Sequence, residues 1–248
     1  MSAFLTLAYL FFLGSLLGWV LELVFRKFFS KANPEHRWIN PGFCAGPYVP
    51  LYGCGLCILY LLAALGSETG WEASAAGRAL LFVGMAISMT AIEYLAGVAL
   101  LKLAKVRLWD YSMMWGNLDG LICPLFSFYW AALGAVYYFL VHPHILDALA
   151  WLARNLAFSF VIGYFFGVFT IDLAYSFRLV ARLKAFAEEE RVVVRYESLK
   201  AHLHAARERA RRSQRFFFPL MTARPLTEHL REAHEALERV RELPTDPD

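Results

Sequence analysis

The sequence predicts an all-α fold: a polytopic membrane bundle of about five transmembrane helices, with a charged helical tail behind it. Three observations carry this expectation. The chain of 248 residues is 59% hydrophobic and only 18% charged, whereas a soluble domain is about 45–50% apolar and about 25% charged. Its mean hydropathy is +0.46, and the apolar residues lie in blocks near the ~20 residues that one membrane-crossing helix needs. Charge is also segregated: through residue 177 nine Lys/Arg match nine Asp/Glu, so the whole net +3 lies beyond it.

The blocks are residues 4–25, 48–65, 79–101, 121–141 and 156–177. The first lacks a basic leader and an A-x-A-like cleavage site, so it is expected to be a retained span. Basic residues mark alternate loops: Arg26, Lys27, Lys31 and Arg37 follow the first block, Lys102, Lys105 and Arg107 the third, and Arg178, Arg182 and Lys184 the fifth. Glu68 and Glu72 stand after the second block without Lys or Arg, and His142, His144, Asp147 and Arg154 form the loop after the fourth. Because basic loops stay in the cytoplasm, the expected topology is N-terminus out and C-terminus in, in a cytoplasmic membrane. The expected division is a bundle over 1–177, with structured cytoplasmic loops at 26–50 and 102–122, and a cytoplasmic tail over 178–248.

Both cytoplasmic loops are unusual. The first runs Asn40-Pro-Gly-Phe-Cys-Ala-Gly-Pro47 towards Pro50 and Tyr52; the second runs Trp109-Asp-Tyr-Ser-Met-Met-Trp-Gly-Asn-Leu-Asp-Gly120. Proline removes a backbone donor and glycine frees φ. Irregular backbone at membrane depth persists only where protein or a watery cavity covers it, so both are expected to be folded or re-entrant; two ordinary interfacial loops are the plainer reading. Setting Pro47 on Pro124 also sets Asn40 on Asn117 and Tyr52 on Tyr129, a weak parallel repeat.

In the tail, Leu179, Leu183, Phe186, Val193, Leu199 and Leu203 recur near helical spacing, as in an amphipathic helix. Arg207, Arg209, Arg211, Arg212 and Arg215 then lead into Phe216, Phe217 and Phe218. This is the pattern of an anchor on an anionic membrane surface; a helix end packing on the tail's own helices is the alternative. A second helix is expected over 227–242.

Glu22, Glu93, Asp119 and Asp172 lie in or near the blocks, where an ionised carboxylate costs about 2.5–3.5 kcal/mol even on a lenient scale. Glu22 has Arg26 one turn on, Asp110 has Lys105 and Arg107, and Asp172 lies within reach of Arg178; Glu93 has no local cation. It is expected either as a neutral carboxyl bonded across helices or as a contact for a cation, proton or substrate. The candidate substrate- or ion-contacting set is Glu22, Asn40, Tyr52, Glu93, Tyr94, Trp109, Asp110, Asn117 and Asp119. No catalytic residue is singled out, since G-x-x-x-x-G-K-[ST], H-E-x-x-H and G-x-S-x-G are all absent. Cys54-Gly-Leu-Cys57 and His142-Pro-His144 are read as small hydrophobes and a surface loop, and no metal, cofactor or nucleic-acid partner is expected.

Gly14-Ser-Leu-Leu-Gly-Trp19 with Glu22, Asn40-Pro-Gly-Phe43, Gly46-Pro47 and Pro50-Leu-Tyr-Gly53, then Glu93-Tyr94, Trp109-Asp-Tyr-Ser112, Asn117, Gly120, Ile122-Cys123, Ser127 and Trp130 stand in one order along the chain. In these motifs the chain resembles the family of ABC-transporter permeases termed "putative, type IV". The resemblance covers about residues 4–143; Pro41, Lys102 and Trp115 depart from the family's pattern. It implies a transporter-like permease subunit with a cytoplasm-facing polar cavity, partnered by the lipid bilayer and by a separate ATPase subunit or further copies of itself. The competing expectation is a non-transporting membrane adaptor whose tail recruits partners.

Overall fold

The structure is a computed structural model, and it describes residues 2–30, 33, 36–42, 44–189, 193–196, 199, 200, 228, 231, 232, 234 and 235. Five helices are long and apolar enough to cross a membrane: Ala3–Phe28, Pro50–Thr69, Ala75–Lys102, Pro124–Arg154 and Leu156–Ala185. The bundle's helices are α1 (Ala3–Phe28), α2 (Pro50–Thr69), α3 (Ala75–Ala104), α4 (Pro124–Val136), α5 (His142–Arg154) and α6 (Ser159–Glu189).

Local chemistry sets most helix ends. Ser2 and Ser74 cap α1 and α3 by accepting from Leu5 N–H and Gly77 N–H, which satisfies orphan donors of the first turn. Pro50 and Pro124 open α2 and α4, where a missing N–H costs nothing. Pro50 and Pro124 thus hold the same helix-start position, whereas the expected repeat sets Pro47, in the loop before α2, on Pro124.

Residues expected as the outer loop after the fourth block are helical instead. Between α4 and α5 lies one π turn, Tyr137–Val141, closed by His142 N–H donating to the Tyr137 carbonyl five residues back. Pro143 would clash with the carbonyl four residues earlier in a regular helix. The wider turn takes up that conflict, and the chain continues as helix to Arg154. In α5, Ile145, Leu149 and Leu152 are buried, and they join Tyr9, Leu10, Leu59, Met85, Met89, Trp130 and Ile162 in the main core.

In α3, Gly77, Leu81, Met85, Met89, Glu93 and Gly97 are buried at every fourth position, while Leu80, Val83, Ile87, Ala91 and Leu95 are exposed. Apolar side chains on the outer face suit lipid contact in a bundle of spanning helices. Glu93 is therefore an acid on an inward-facing stripe. Small residues bring α1 and α2 together: a Cβ on Gly18 would lie 2.2 Å from Tyr52, and one on Gly53 would lie 2.3 Å from Ser15 Oγ. Gly14-x-x-x-Gly18 is the small-residue spacing that lets membrane helices approach closely.

One end of the bundle gathers three irregular segments. The loop before α2 buries Ile39, Asn40, Cys44 and Tyr48. β1 (Val106–Arg107), just after α3, pairs in parallel with β2 (Val194–Arg195). α6 does not end where the apolar block does but runs unbroken to Glu189; beyond it, Val194, Tyr196, Leu199 and Lys200 are buried. The start of the tail thus packs on the loops. The expected anchor Arg207, Arg209, Arg211, Arg212, Arg215, Phe216, Phe217 and Phe218 lies outside the described residues.

Candidate functional site

Glu93 lies on the inner face of α3, opposite the second turn of α4. Its Oε1 accepts from the Tyr111 hydroxyl at 3.1 Å and its Oε2 from Trp130 Nε1–H at 2.9 Å. Only 3% of the residue is exposed, and among the described residues no cation pairs with it. Burial first, and then the carboxylates of Glu93 and Glu22, hold the Tyr111 hydroxyl well above the ordinary tyrosine range. It stays a neutral donor, and its ring stacks on Phe126 at 4.3 Å.

The cluster continues across the bundle. The Trp130 ring lies 5.3 Å from that of Tyr52, and the Tyr52 hydroxyl donates to Glu22 Oε1 at 3.0 Å. Glu22 Oε2 accepts from Arg26 Nε–H at 3.0 Å, the one-turn pair expected from the spacing. Side chains from α1, α2, α3, α4 and the loop before α4 therefore connect two acids, one ion-paired and one not. Of the candidates, Glu22, Tyr52 and Glu93 come together here, with Tyr111 and Trp130, which were not among the candidate contacts.

The remaining candidates do other things. Asn40 is buried; its Oδ1 accepts from Trp19 Nε1–H at 2.6 Å, and its Nδ2 donates to the carbonyls of Cys44 and Ala45 at 3.2 and 2.9 Å. Asn117 donates to the Ser112 and Met114 carbonyls and accepts from Gly120 N–H. Trp109 Nε1–H donates to the Leu121 carbonyl, and Asp110 Oδ1 accepts from Arg107 and from Ser112 N–H. These side chains replace backbone partners in turns. Tyr94 and Asp119 form a separate exposed pair, hydroxyl to Oδ2 at 2.8 Å. Tyr94 lies on the wall of an apolar groove of about 420 Å³ between α3 and the start of α4.

A second polar cluster was not anticipated. Asp172 of α6 does not turn to Arg178. Its Oδ1 accepts from Ala45 N–H at 3.0 Å and Ser176 Oγ–H at 3.2 Å; its Oδ2 accepts from Gly46 N–H at 2.8 Å and from the Tyr48 hydroxyl. From the tail, Lys200 Nζ donates to the Asn40 carbonyl at 2.9 Å and to the Gly42 carbonyl. Burial, with Arg26 adding to it, lowers the Lys200 ammonium from 10.5 to about 7 against the opposing pull of Cys44 and Asp172. Burial also pushes the Cys44 thiol up to about 12, which keeps it unreactive. The first loop is thus held from one side by α6 and from the other by the tail.

A family model described as "Putative ABC-transporter type IV" matches residues 9–177. No curated protein and no solved structure matches the chain. The matched segment includes every residue of the Glu93 cluster and Asp172, and it stops before β2 and Lys200.

Proposed function

The chain belongs to this family, and from that premise we propose that it is a transporter-like permease subunit whose polar cavity faces the cytoplasm and whose ATPase is a separate chain. The observation that carries the reading is Glu93: a carboxyl on a spanning helix, met by two neutral donors and by no described cation. A buried acid without a counter-ion is costly in a membrane and marks substrate, ion or proton paths by default. Glu22, Tyr52 and Arg26 extend the same cluster, so it is the proposed contact for a cation or proton. The helices that carry it would part to admit the substrate. If the reading holds, full-length protein extracted in mild detergent brings down an ATPase, and that enzyme's ATP turnover changes when the chain is present. Extraction that yields no ATPase, together with turnover that ignores the chain, refutes it.

The adaptor reading keeps one observation in its favour. Trp109 and Asn117 spend their polar groups on their own loop, and Asn40 donates both its amide hydrogen bonds within its own, as in a scaffold. In that case the tail alone captures partners without an ATPase.

The proposed orientation, N-terminus outside and C-terminus in the cytoplasmic compartment, rests on the alternation of basic loops. Cysteines introduced at Gly70 and Asp147 are expected to react with an impermeant thiol reagent in intact cells, and one introduced at Met113 only after lysis. Labelling of Met113 in intact cells would reverse the topology.

A further inference from the structure

The groove beside Tyr94 is centred about a quarter turn around α3 from Glu93 and shares no residue with the Glu93 cluster. Ala86, Thr90 and Ala91 of α3 form one wall and Ile122 and Ser127 the other. Its volume is about 420 Å³, within the ~300–1,000 Å³ of small-molecule sites. Ala91 is exposed and so lies on the outer face of a spanning helix. In a bilayer that face meets acyl chains, so the groove's surroundings supply one kind of occupant.

The groove also has a polar end. Tyr94 turns its hydroxyl to Asp119 Oδ2 at 2.8 Å. Asp119 is exposed, and the loop holds it in a left-handed conformation at φ 55°. Among the described residues no salt bridge pairs it. Met113 and Trp115 of the same loop are 95% and 87% exposed, and tryptophan and tyrosine favour the headgroup level of a bilayer. Ala86, Thr90 and Ala91, beside Ile87, thus line an apolar slot on the lipid face, and a carboxylate with no salt-bridge partner among the described residues stands at its interfacial end.

We propose that this groove is a binding site for one phospholipid with a primary-amine headgroup, its acyl chain along Ala86, Thr90 and Ala91 and its ammonium beside Asp119. The carboxylate supplies the charge complement, and an anionic headgroup would be repelled there. Ala91→Leu fills the slot while adding only apolar atoms to a lipid-facing position, and Asp119→Asn removes the charge and keeps the shape.

The test equilibrates purified full-length protein in detergent with equal phosphatidylethanolamine and phosphatidylglycerol and weighs the complexes by native mass spectrometry. The wild-type chain is expected to retain one phosphatidylethanolamine, and Ala91→Leu to lose it. Asp119→Asn is expected to keep a lipid but lower the preference about two- to fivefold, the worth of an exposed ion pair. Equal retention of both lipids by the wild type, or no retention, would mean ordinary boundary lipid and overturn the site. Undiminished binding by Ala91→Leu would do the same. If that variant fails to fold, Asp119→Asn decides alone, because it lies on an exposed loop: an unchanged preference rejects the proposal.

Discussion

Replacing Glu93 with Gln is expected to leave the bundle folded and to abolish whatever activity the chain supports. The neutral side chain satisfies the same neighbours. Its Oε1 can accept from Trp130 Nε1–H, which can only donate, and its Nε2 can donate to the Tyr111 oxygen, which can accept after its hydrogen rotates. Trp130 Nε1–H and the Tyr111 oxygen each keep a hydrogen bond to this side chain, so the melting temperature in detergent should stay within a few degrees of wild type. What is lost is the ability to carry charge or a proton at this point. Glu93→Ala is the contrast: it strands an indole N–H and a phenol, each costing about 1–3 kcal/mol, and should fold poorly. The measurement is rescue of a deletion strain, with protein level and thermal stability determined in parallel. A Gln variant as active as wild type would reduce Glu93 to a protonated packing group and favour the adaptor reading.

That the decisive residue is an acid on an inward stripe bears on how much of this molecule could be read from its residues. The spans could be, because hydropathy is a local sum and each block is near the length that lipid requires. Which face of a span turns inward is harder, because core and lipid are both apolar. In α3 the inward stripe shows itself through its exceptions, Gly77, Glu93 and Gly97, rather than through hydrophobic periodicity. The helix over 142–154 was hidden by Pro143, whose clash is relieved by a π turn that has no signature of its own. Asp172 was assigned to Arg178 on proximity along the chain. At 3.6 residues per turn, though, six residues on is about 240° around a helix, so the two side chains diverge. Lys200 reaches a carbonyl 160 residues away, and nothing local to either segment announces that pairing. Asn40 and Asn117 were singled out as candidate contacts, but asparagine staples a turn as readily as it contacts a ligand.

The unanticipated cluster carries the other large effect. Asp172→Ala is expected to free the loop before α2, because one carboxylate there satisfies two backbone N–H groups, a phenol and a serine hydroxyl. Leaving even two of those donors unpaired costs about 2–6 kcal/mol at about 1–3 kcal/mol each, enough to undo a local structure. Hydrogen exchange over residues 44–48 should rise by orders of magnitude while α3 stays protected. Asp172→Asn should fall between, since its amide nitrogen opposes one of the N–H donors. The tail clamps the same loop through Lys200, and its hold should depend on pH with a definite sign. The docked ammonium titrates near 7, against 10.5 ordinarily, so the undocked lysine binds a proton more tightly. Docking therefore strengthens as pH rises from about 7 towards 10.5 and is flat, at its weakest, below 7. Exchange at 193–196 measured from pH 6 to 9, corrected for intrinsic rates, should slow across the upper half of that range. Lys200→Met keeps the apolar stem and removes the titration, so its corrected exchange should not change with pH. A pH dependence that survives in Lys200→Met would assign the effect to another group. Unchanged exchange over 44–48 in Asp172→Ala would remove α6 as the support of this loop.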